Sequence, residues 1–169
     1  MKTLWRISNH CDLEGLGGEK SDGRWHTAAR GKRIVYLSES PAVALLESLA
    51  NLKGNPALFP ENYQLIEISV PDDVYAAMAF PSGGSPASRA FYRTLPQAVS
   101  RKKGNRWLFS NLSALAGVPS YPSPYSLNIL LNPKHPDSRR ISIKVCRRIK
   151  YDSRLFHVYP AAKKARAEP

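Results

Sequence analysis

An arginine, a tyrosine and a glutamate stand at the joints of one strand-to-helix segment, GRWHTAARGKRIVYLSESPAVALLE, at residues 23–47. Arg24 opens the segment beside Trp25, Tyr36 lies in its hydrophobic strand, and Glu47 lies in the helix that follows. A guanidinium binds anions, whereas a carboxylate in a pocket can act as an acid, a base or a fixed negative charge. The segment therefore raises a choice between an enzyme and a basic binding module.

Glu47 has the least ordinary position of these residues. Its helical neighbours Val43, Leu46 and Ala50 are apolar, so the carboxylate borders an apolar stripe. Burying a carboxylate costs free energy unless it is paired. Two interpretations stay open. The residue is either a solvent-facing glutamate on the helix flank or a carboxylate at the rim of a pocket, with a pKa set by desolvation and nearby arginine.

A second candidate stretch is GVPSYPSPYSLNILLNPKHPDSRRISI, at residues 117–143. In the strand expected from Ser126 onward, side chains alternate between faces, so Ser126 and Asn128 share the face opposite an apolar row. Small polar groups on one face of an apolar strand often line a site. An edge strand with one wet face accounts for the same pattern.

Positive charge is the other marked feature, with a formal net charge of +12. It indicates an anionic partner, such as nucleic acid, an acidic protein or a phosphate-bearing small molecule, although a solvated basic face explains it equally well. No RNP motif, zinc finger or helix-turn-helix accompanies the charge, so direct nucleic-acid binding is not expected. The basic residues concentrate between Arg139 and Pro169 and in the cluster of Arg101, Lys102, Lys103 and Arg106.

Length and composition favour one domain, because 169 residues suffice for one core but not for two. The two cysteines, Cys11 and Cys146, are far apart in sequence, so we expect neither a structural zinc site nor a disulfide framework. The histidines lack metal-ligand spacing, and no metal is expected. The start, MKTLWRISNH, lacks the apolar run of a signal peptide, and no segment could span a bilayer, so the expected location is the cytoplasm.

The order of the predicted elements favours a mixed α+β domain, since no repeated strand–helix–strand alternation is present. One helix is expected after Ser40, with Pro41 at its first position, and another from residue 86 to Val99, which Pro96 ends or bends. We expect a single domain at residues 1–160 and a basic, flexible tail at residues 161–169. The predicted strands cover residues 3–8, 33–37, 64–70, 126–131 and 141–149.

The segment GLGGEKS at residues 15–21 is similar to a phosphate-binding loop but fails the pattern. The required GK[ST] ending is absent, and Lys20 stands where the last glycine of GxGxxG would be. No nucleophile elbow and no HExxH motif is present either. These motifs are therefore not used to assign a function.

The chain resembles the RES-domain toxins of bacterial toxin–antitoxin systems, a family named for an arginine, a glutamate and a serine. The resemblance covers about residues 4–159 and rests on GRWHT, IVYLSESPAVALLE, VPSYPSPYSLNILLNPKHPD and YDSRLF. By position, the functional residues of the family correspond to Arg24, Tyr36, Glu47 and Ser126. The resemblance implies a compact ADP-ribosyltransferase-like α+β fold with mixed or antiparallel sheets, NAD as substrate, and an Xre-type antitoxin as partner.

The chemistry of NAD cleavage suits these residue types. Arg24 would clamp phosphate or ribose oxygens, and the ring of Tyr36 would stack on nicotinamide or ribose. Glu47 would hold the ribose hydroxyls and stabilise the oxocarbenium-like transition state. Ser126 would bind the nicotinamide amide or a phosphate, and Trp25 and Asn128 are further candidate contacts to NAD.

The acceptor of the ADP-ribosyl group stays open at this point. Water would make the enzyme a glycohydrolase, phosphate a phosphorylase, and a protein side chain an ADP-ribosyltransferase. Arg6 could also approach the substrate but is left outside the predicted site. The alternative from another class is a non-catalytic basic module that binds nucleic acid or an acidic protein.

Overall fold

Six antiparallel strands form one sheet in a computed structural model that describes residues 1–52, 61–84, 86–92 and 94–156. The strand order is β4-β5-β2-β1-β3-β6, and every neighbouring pair is antiparallel. The predicted α+β class with antiparallel pairing is therefore confirmed. The strands are β1 Lys2–Ser8, β2 Val35–Ser38, β3 Gln64–Val70, β4 Leu115–Pro119, β5 Leu127–Leu131 and β6 Ser142–Arg148.

Short helices flank this sheet. The expected cap of the second helix is present, because the Ser40 side chain accepts a hydrogen bond from the backbone N–H of Val43 at 3.2 Å. Pro41 follows at the first helical position, where its missing N–H has no intrahelical partner to lose. The helices are α1 Gly17–Lys20, α2 Pro41–Asn51, α3 Asp72–Ala76 and α4 Gln97–Ser110, and 3₁₀ turns cover Arg89–Tyr92, Pro136–Arg140 and Ser153–Phe156.

The helix predicted from residue 86 to Val99 is wrong. A 3₁₀ turn occupies part of that segment, and α4 begins only after Pro96. The carbonyl of Pro96 accepts a hydrogen bond from the N–H of Ser100 at 3.0 Å. A proline that ends one helix pattern is equally compatible with the start of the next helix, where its missing N–H is tolerated.

Apolar side chains cover both faces of the sheet. Along β2, Val35 and Leu37 pack into one buried cluster, whereas Tyr36 packs against a second cluster that contains Trp25 and Leu130. This division follows from the alternation of side chains along a strand. Tyr36 is thereby directed to the face on which the candidate site lies.

A disulfide joins Cys11, just after β1, to Cys146 in β6, with a Cα–Cα distance of 6.3 Å. The expectation of no disulfide framework missed this single bond, because 135 positions of sequence separate two residues that the sheet brings together. The loop after β1 is held a second time at the next residue, where the carbonyl of Asp12 accepts a hydrogen bond from Nη1 of Arg6 at 2.7 Å. This loop leads directly into the candidate site.

None of the helices within the described ranges combines the length and the apolar character needed to cross a membrane. The predicted tail at residues 161–169 lies outside the described residues.

Candidate functional site

A cavity of about 420 Å³ lies between the glycine-rich segment 15–18, strand β2 and helix α2. Three predicted site residues, Arg24, Tyr36 and Glu47, line it, although they come from a loop, a strand and a helix. Arg6 lines it as well. Its volume is in the range of small-molecule and cofactor sites.

A smaller cavity of about 140 Å³ adjoins the first, since Arg6, Tyr36, Glu47 and Asn51 line both. Asn128 lines only the smaller one. The two cavities form one elongated cleft, with Tyr36 and Glu47 at the junction. We refer to it below as the main cleft.

The carboxylate of Glu47 is held by side chains of β5 and of the hairpin before it. Its Oε1 accepts a hydrogen bond from Oγ of Ser120 at 2.8 Å and another from Nδ2 of Asn128. Asn128 is oriented in turn by Ser38, whose Oγ donates to Oδ1 of Asn128 at 2.9 Å. The direction of the carboxylate is therefore fixed before any ligand arrives.

Tyr36 is fixed through its hydroxyl group. The oxygen accepts a hydrogen bond from the N–H of Trp25 at 3.1 Å and lies 2.9 Å from Nδ1 of His26. Burial raises the pKa of the Tyr36 phenol and lowers the pKa of the His26 imidazole, so both groups are neutral near pH 7. The phenol then donates to Nδ1, and Nε2–H of His26 donates to the carbonyl of Gly18 at 3.2 Å. The tyrosine ring, rather than its hydroxyl, remains for contact with a ligand.

Arg24 is attached to the segment before α4. Its Nη2 donates to the carbonyl of Leu95 at 2.6 Å, and its guanidinium carbon lies 3.8 Å from the ring centre of Tyr121. Its buried Nε finds no partner within the described residues. A buried donor that is left without a partner costs free energy, which an anionic ligand in the cleft would recover.

Arg6 contributes a second guanidinium to the main cleft and lines both of its cavities. Burial lowers its pKa, and the nearby charge of Asp12 opposes this shift. Arg101 of α4 supports the region from behind, because its Nε donates to the carbonyl of Gly23 at 2.9 Å. The main cleft therefore carries two guanidinium groups, since Arg24 lines the larger cavity and Arg6 lines both cavities together with Glu47.

Trp25 lies in the core and does not line either part of the main cleft. Its side chain is only 2% exposed, and it packs against α4 at Gly104, where any side chain would overlap the Trp25 carbonyl oxygen. Its connection to the site is its backbone N–H, which holds Tyr36. The structure thus gives Trp25 a supporting position in place of the predicted contact to NAD.

Ser126, like Trp25, is a predicted residue that lies outside the main cleft. It precedes β5, and its Oγ lies 2.9 Å from Oγ of Ser123. Its carbonyl accepts a hydrogen bond from the N–H of Ser120, the serine that does reach Glu47. The structure therefore brings Arg24, Tyr36, Glu47 and Asn128 to the main cleft. Ser126 is connected to the cleft only through Ser120, which contacts both Ser126 and Glu47.

Sequence reasoning did not select Ser120, Ser38 or the segment 15–18. The glycine-rich composition of that segment was a usable signal, although it matches no phosphate-loop motif. Ser38 could have been found only from the strand register, which pairs it with Asn128. Ser120 carried no signal, because its approach to Glu47 depends on the shape of the hairpin turn.

Comparison with known proteins assigns the family. A sequence model of the RES domain matches residues 3–154. The chain belongs to the RES-domain family of toxins. The resemblance stated from the sequence is thereby confirmed.

Two related toxins match the chain over most of its length. It is 39% identical over 153 residues to Toxin Res of Pseudomonas putida KT2440, an alignment that covers 90% of this chain and 99% of that protein. It is 35% identical over 168 residues to the Prs ADP-ribosylating toxin of Sphingobium sp. YBL2, covering 91% of this chain and 96% of that protein.

The fold is shared with a chain of the crystal structure of the M. tuberculosis MbcT–MbcA toxin–antitoxin complex. The TM-score is 0.65 at 17% sequence identity, and the match covers 86% of this chain and 82% of that one. At this identity the likeness establishes the common fold of this RES protein and its neighbour.

Proposed function

We propose that this RES toxin cleaves NAD at the bond between nicotinamide and ribose and thereby depletes cellular NAD. The observation that carries the proposal is the position of Glu47, which is fixed by Ser120 and Asn128 at the junction of the main cleft, in a cleft that the guanidinium groups of Arg6 and Arg24 also line. The name of the Sphingobium relative supports NAD as substrate, because ADP-ribosylation draws its ADP-ribosyl group from NAD.

Binding of NAD uses the guanidinium groups of the main cleft, those of Arg6 and Arg24. Arg6 and Arg24 attract the pyrophosphate, and the buried Nε of Arg24 gains the acceptor that it lacks. The backbone of segment 15–18 is open to the ligand at Gly17, where a Cβ would meet no other atom, whereas the missing side chains of Gly15 and Gly18 make room for Ile34. The ring of Tyr36 packs against the nicotinamide ribose or the nicotinamide and excludes water.

Bond cleavage uses the carboxylate of Glu47. When the bond between the ribose anomeric carbon and the nicotinamide nitrogen breaks, its electron pair leaves with neutral nicotinamide, and positive charge develops on the ribose. The negative charge of Glu47 stabilises this charge, and Ser120 and Asn128 keep the carboxylate from reorganising as the charge appears. An acceptor then bonds to the anomeric carbon and releases a proton.

Water as acceptor gives ADP-ribose, which is a glycohydrolase reaction, and phosphate gives phosphorylated ADP-ribose. A protein acceptor is the second candidate, and the relative named for ADP-ribosylation of Prs favours it. All three outcomes share the cleavage step at Glu47. A non-catalytic basic module remains the contrasting hypothesis.

We also propose that an antitoxin of the Xre type covers the main cleft and blocks entry of NAD. The shared fold with a chain of a toxin–antitoxin complex supports an antitoxin partner, and the net charge of +12 would steer an acidic one toward the chain. Expression of the chain alone in bacteria is expected to lower NAD and stop growth, and co-expression with its antitoxin is expected to restore both. Harmless expression of the lone chain would contradict this proposal.

The deciding experiment incubates the purified chain with NAD and separates the products by chromatography, in buffers with and without phosphate. Nicotinamide is expected in both, with ADP-ribose in the absence of phosphate. Glu47→Gln should lose most of this activity, whereas the exposed carboxylate of Glu14 provides the matched control Glu14→Gln. NAD that stays intact with the wild-type chain would reject the proposed function and favour the binding module.

A further inference from the structure

A second cleft, of about 210 Å³, lies at the hairpin between β4 and β5. Ser120, one of its lining residues, is hydrogen-bonded to Glu47. Three tyrosines, Tyr92, Tyr121 and Tyr125, form its aromatic walls, and Ser120 and Thr94 supply hydroxyl groups. Neither Tyr36 nor Glu47 lines this tyrosine cleft, so it is distinct from the main cleft. Ser120, which lines the tyrosine cleft, connects it to the main cleft through its hydrogen bond to Glu47.

The hydroxyl of Ser120 is suited to pass a proton between the two clefts. It donates to Oε1 of Glu47 at 2.8 Å and accepts from the N–H of Ser123 at 3.2 Å. A serine oxygen has two lone pairs, so one is left to accept a hydrogen bond from a group in the tyrosine cleft. The residue is only 5% exposed, which keeps this geometry fixed.

The aromatic walls suit a cationic side chain. A guanidinium already lies on one of them, since the guanidinium carbon of Arg24 is 3.8 Å from the ring centre of Tyr121. The rings of Tyr92 and Tyr125 lie with centroids 5.2 Å apart and offer further faces for cation–π contact. Tyr125 is 67% exposed and adopts φ +65°, a left-handed conformation that is costly for tyrosine and typical of functional positions.

Negative charge at the tyrosine cleft also favours a cation. The carboxylate of Glu39, whose Oε1 accepts from the N–H of Leu127 at 2.9 Å, raises the pKa of Tyr92 in addition to the effect of burial. Glu47 stands behind Ser120. The sequence has no acidic residue between Asp73 and Asp137, so these two carboxylates stand out against a basic background.

We propose that the tyrosine cleft binds the acceptor of the ADP-ribosyl group, a lysine or arginine side chain of a protein, and that Ser120 passes one acceptor proton to Glu47. This proposal rests on the proposed cleavage of NAD. It deepens that function by assigning the binding of a protein acceptor to a cleft separate from the one that binds NAD.

The transfer step balances in atoms and charge. Nicotinamide leaves with the electron pair of its bond to ribose while Glu47 is still ionised. The acceptor nitrogen then bonds to the anomeric carbon as Ser120 takes one proton from that nitrogen, which frees the bonding lone pair, and gives its own proton to Oε1 of Glu47. The new substituted ammonium or guanidinium remains cationic, and Glu47 later releases the proton to solvent.

The test measures ADP-ribosyl transfer to small probes by mass spectrometry and nicotinamide release without a probe. Agmatine represents arginine, N-acetyl-lysine methylamide represents lysine, and N-acetyl-asparagine methylamide is the neutral control. Transfer to at least one cationic probe should exceed transfer to the neutral probe at least about tenfold, the scale of a desolvated cation–π contact with added charge attraction.

Variants of the walls separate acceptor binding from NAD cleavage. Combining Tyr92→Leu with Tyr125→Leu should lower kcat/KM for transfer about tenfold, and Glu39→Gln should lower it about threefold. Nicotinamide release without a probe should change less than about twofold in these variants. The matched control is Phe109→Leu, which changes an exposed aromatic residue on α4 and should affect neither reaction.

The role of Ser120 is tested by its pH profile. Ser120→Ala should depress transfer to the lysine probe, with partial recovery at high pH where solvent deprotonates the amine. Ser120→Thr should restore transfer by keeping the hydroxyl. A purely structural role of Ser120 would give equal losses at every pH. Equal losses would therefore overturn the proton transfer.

The outcomes distinguish this inference from the proposed function. Nicotinamide release without transfer to either cationic probe would overturn the acceptor cleft and leave NAD cleavage intact. Equal transfer to the neutral probe, or transfer unchanged in the double tyrosine variant, would also overturn it. Absence of nicotinamide release from the wild-type chain would reject both proposals together.

Discussion

The carboxylate and the guanidinium groups of the main cleft are held in different ways. We refer to Glu47 with its hydrogen-bond partners as the carboxylate side and to Arg6 with Arg24 as the arginine side. On the carboxylate side, Glu47 receives hydrogen bonds from Ser120 and Asn128, so side chains hold side chains. On the arginine side, Arg6 and Arg24 donate to backbone carbonyls of the segments that border the cleft. In the first arrangement Glu47 of α2 is held by Asn128 of β5 and by Ser120 of the adjoining hairpin. In the second, Arg6 and Arg24 are both attached to connecting segments, although Arg6 itself lies in β1.

This difference indicates a division of labour. A charge fixed by a network of strand and helix side chains needs little reorganisation when charge develops on the substrate, which is the condition for stabilising a transition state. A guanidinium attached by a hydrogen bond to a connecting segment can adjust to a phosphate that is present throughout the reaction, which contributes to ground-state binding. The carboxylate side should therefore control turnover, and the arginine side should control NAD affinity.

The largest expected effect is that of Glu47→Gln on turnover. Removing one preorganised electrostatic contact typically costs about 3–4 kcal/mol, a factor of about 100 to 1000 in rate. NAD affinity should change little, because the charge of Glu47 acts mainly on the developing cation. Nicotinamide release and calorimetric NAD binding measure the two quantities, with circular dichroism to verify folding. Near-normal turnover would show that Glu47 does not stabilise the transition state and would support its interpretation as a surface residue on the helix flank.

Reduction of the disulfide should affect the arginine side. Opening Cys11–Cys146 is expected to lower the free energy of unfolding by about 2–4 kcal/mol, because the cross-link restricts the unfolded chain. It also loosens the loop whose Asp12 carbonyl holds Arg6, so NAD affinity should fall more than turnover at saturating NAD. Thermal unfolding and kinetics with and without reductant, alongside Cys11→Ser, give the comparison. An equal loss of turnover would show that the two sides are not independent.

Arg24→Ala should act mainly on binding. A charged hydrogen bond contributes about 1.5–3 kcal/mol, which corresponds to a loss of NAD affinity of about 10- to 100-fold. Arg24→Lys should recover only part of it, since an ammonium cannot make the same paired contacts with a phosphate. Arg30→Ala, at an exposed arginine in the loop before β2, is the control. Intact affinity with impaired turnover would reverse the proposed division.

Tyr36→Phe should have the smallest effect and should act on stability. The variant keeps the ring but leaves the N–H of Trp25 and Nδ1 of His26 without the phenol, at a cost of about 1–3 kcal/mol. Turnover of the folded variant should stay within about threefold, because the ring is the part that contacts the ligand. Chemical denaturation and nicotinamide release measure the two effects. A large loss of turnover in a stable variant would assign a chemical role to the hydroxyl.

The sequence predicted the parts of the fold that depend on local signals. Ser40 and Pro41 marked the start of α2, and alternation marked β3 at its observed bounds. Glu47 was noticeable because a carboxylate at the border of an apolar stripe costs free energy unless it is exposed or paired. These features are visible within a single segment.

The remaining features depend on residues that are distant in sequence. The serine at the carboxylate is Ser120 rather than Ser126, which only the turn of the hairpin decides. The partner of Cys11 lies across the sheet, and Pro96 could end one helix or begin another. The sequence pattern predicted that a serine would lie near the glutamate. The three-dimensional contacts decide which serine of the hairpin reaches the carboxylate of Glu47.

A crystal structure of Glu47→Gln with NAD bound tests the central claim most directly, since the slow variant should trap the intact substrate. We expect the nicotinamide ribose beside residue 47 and the ring of Tyr36, with the pyrophosphate between Arg24, Arg6 and segment 15–18. NAD bound with its ribose away from residue 47, or bound outside the main cleft, would contradict the account.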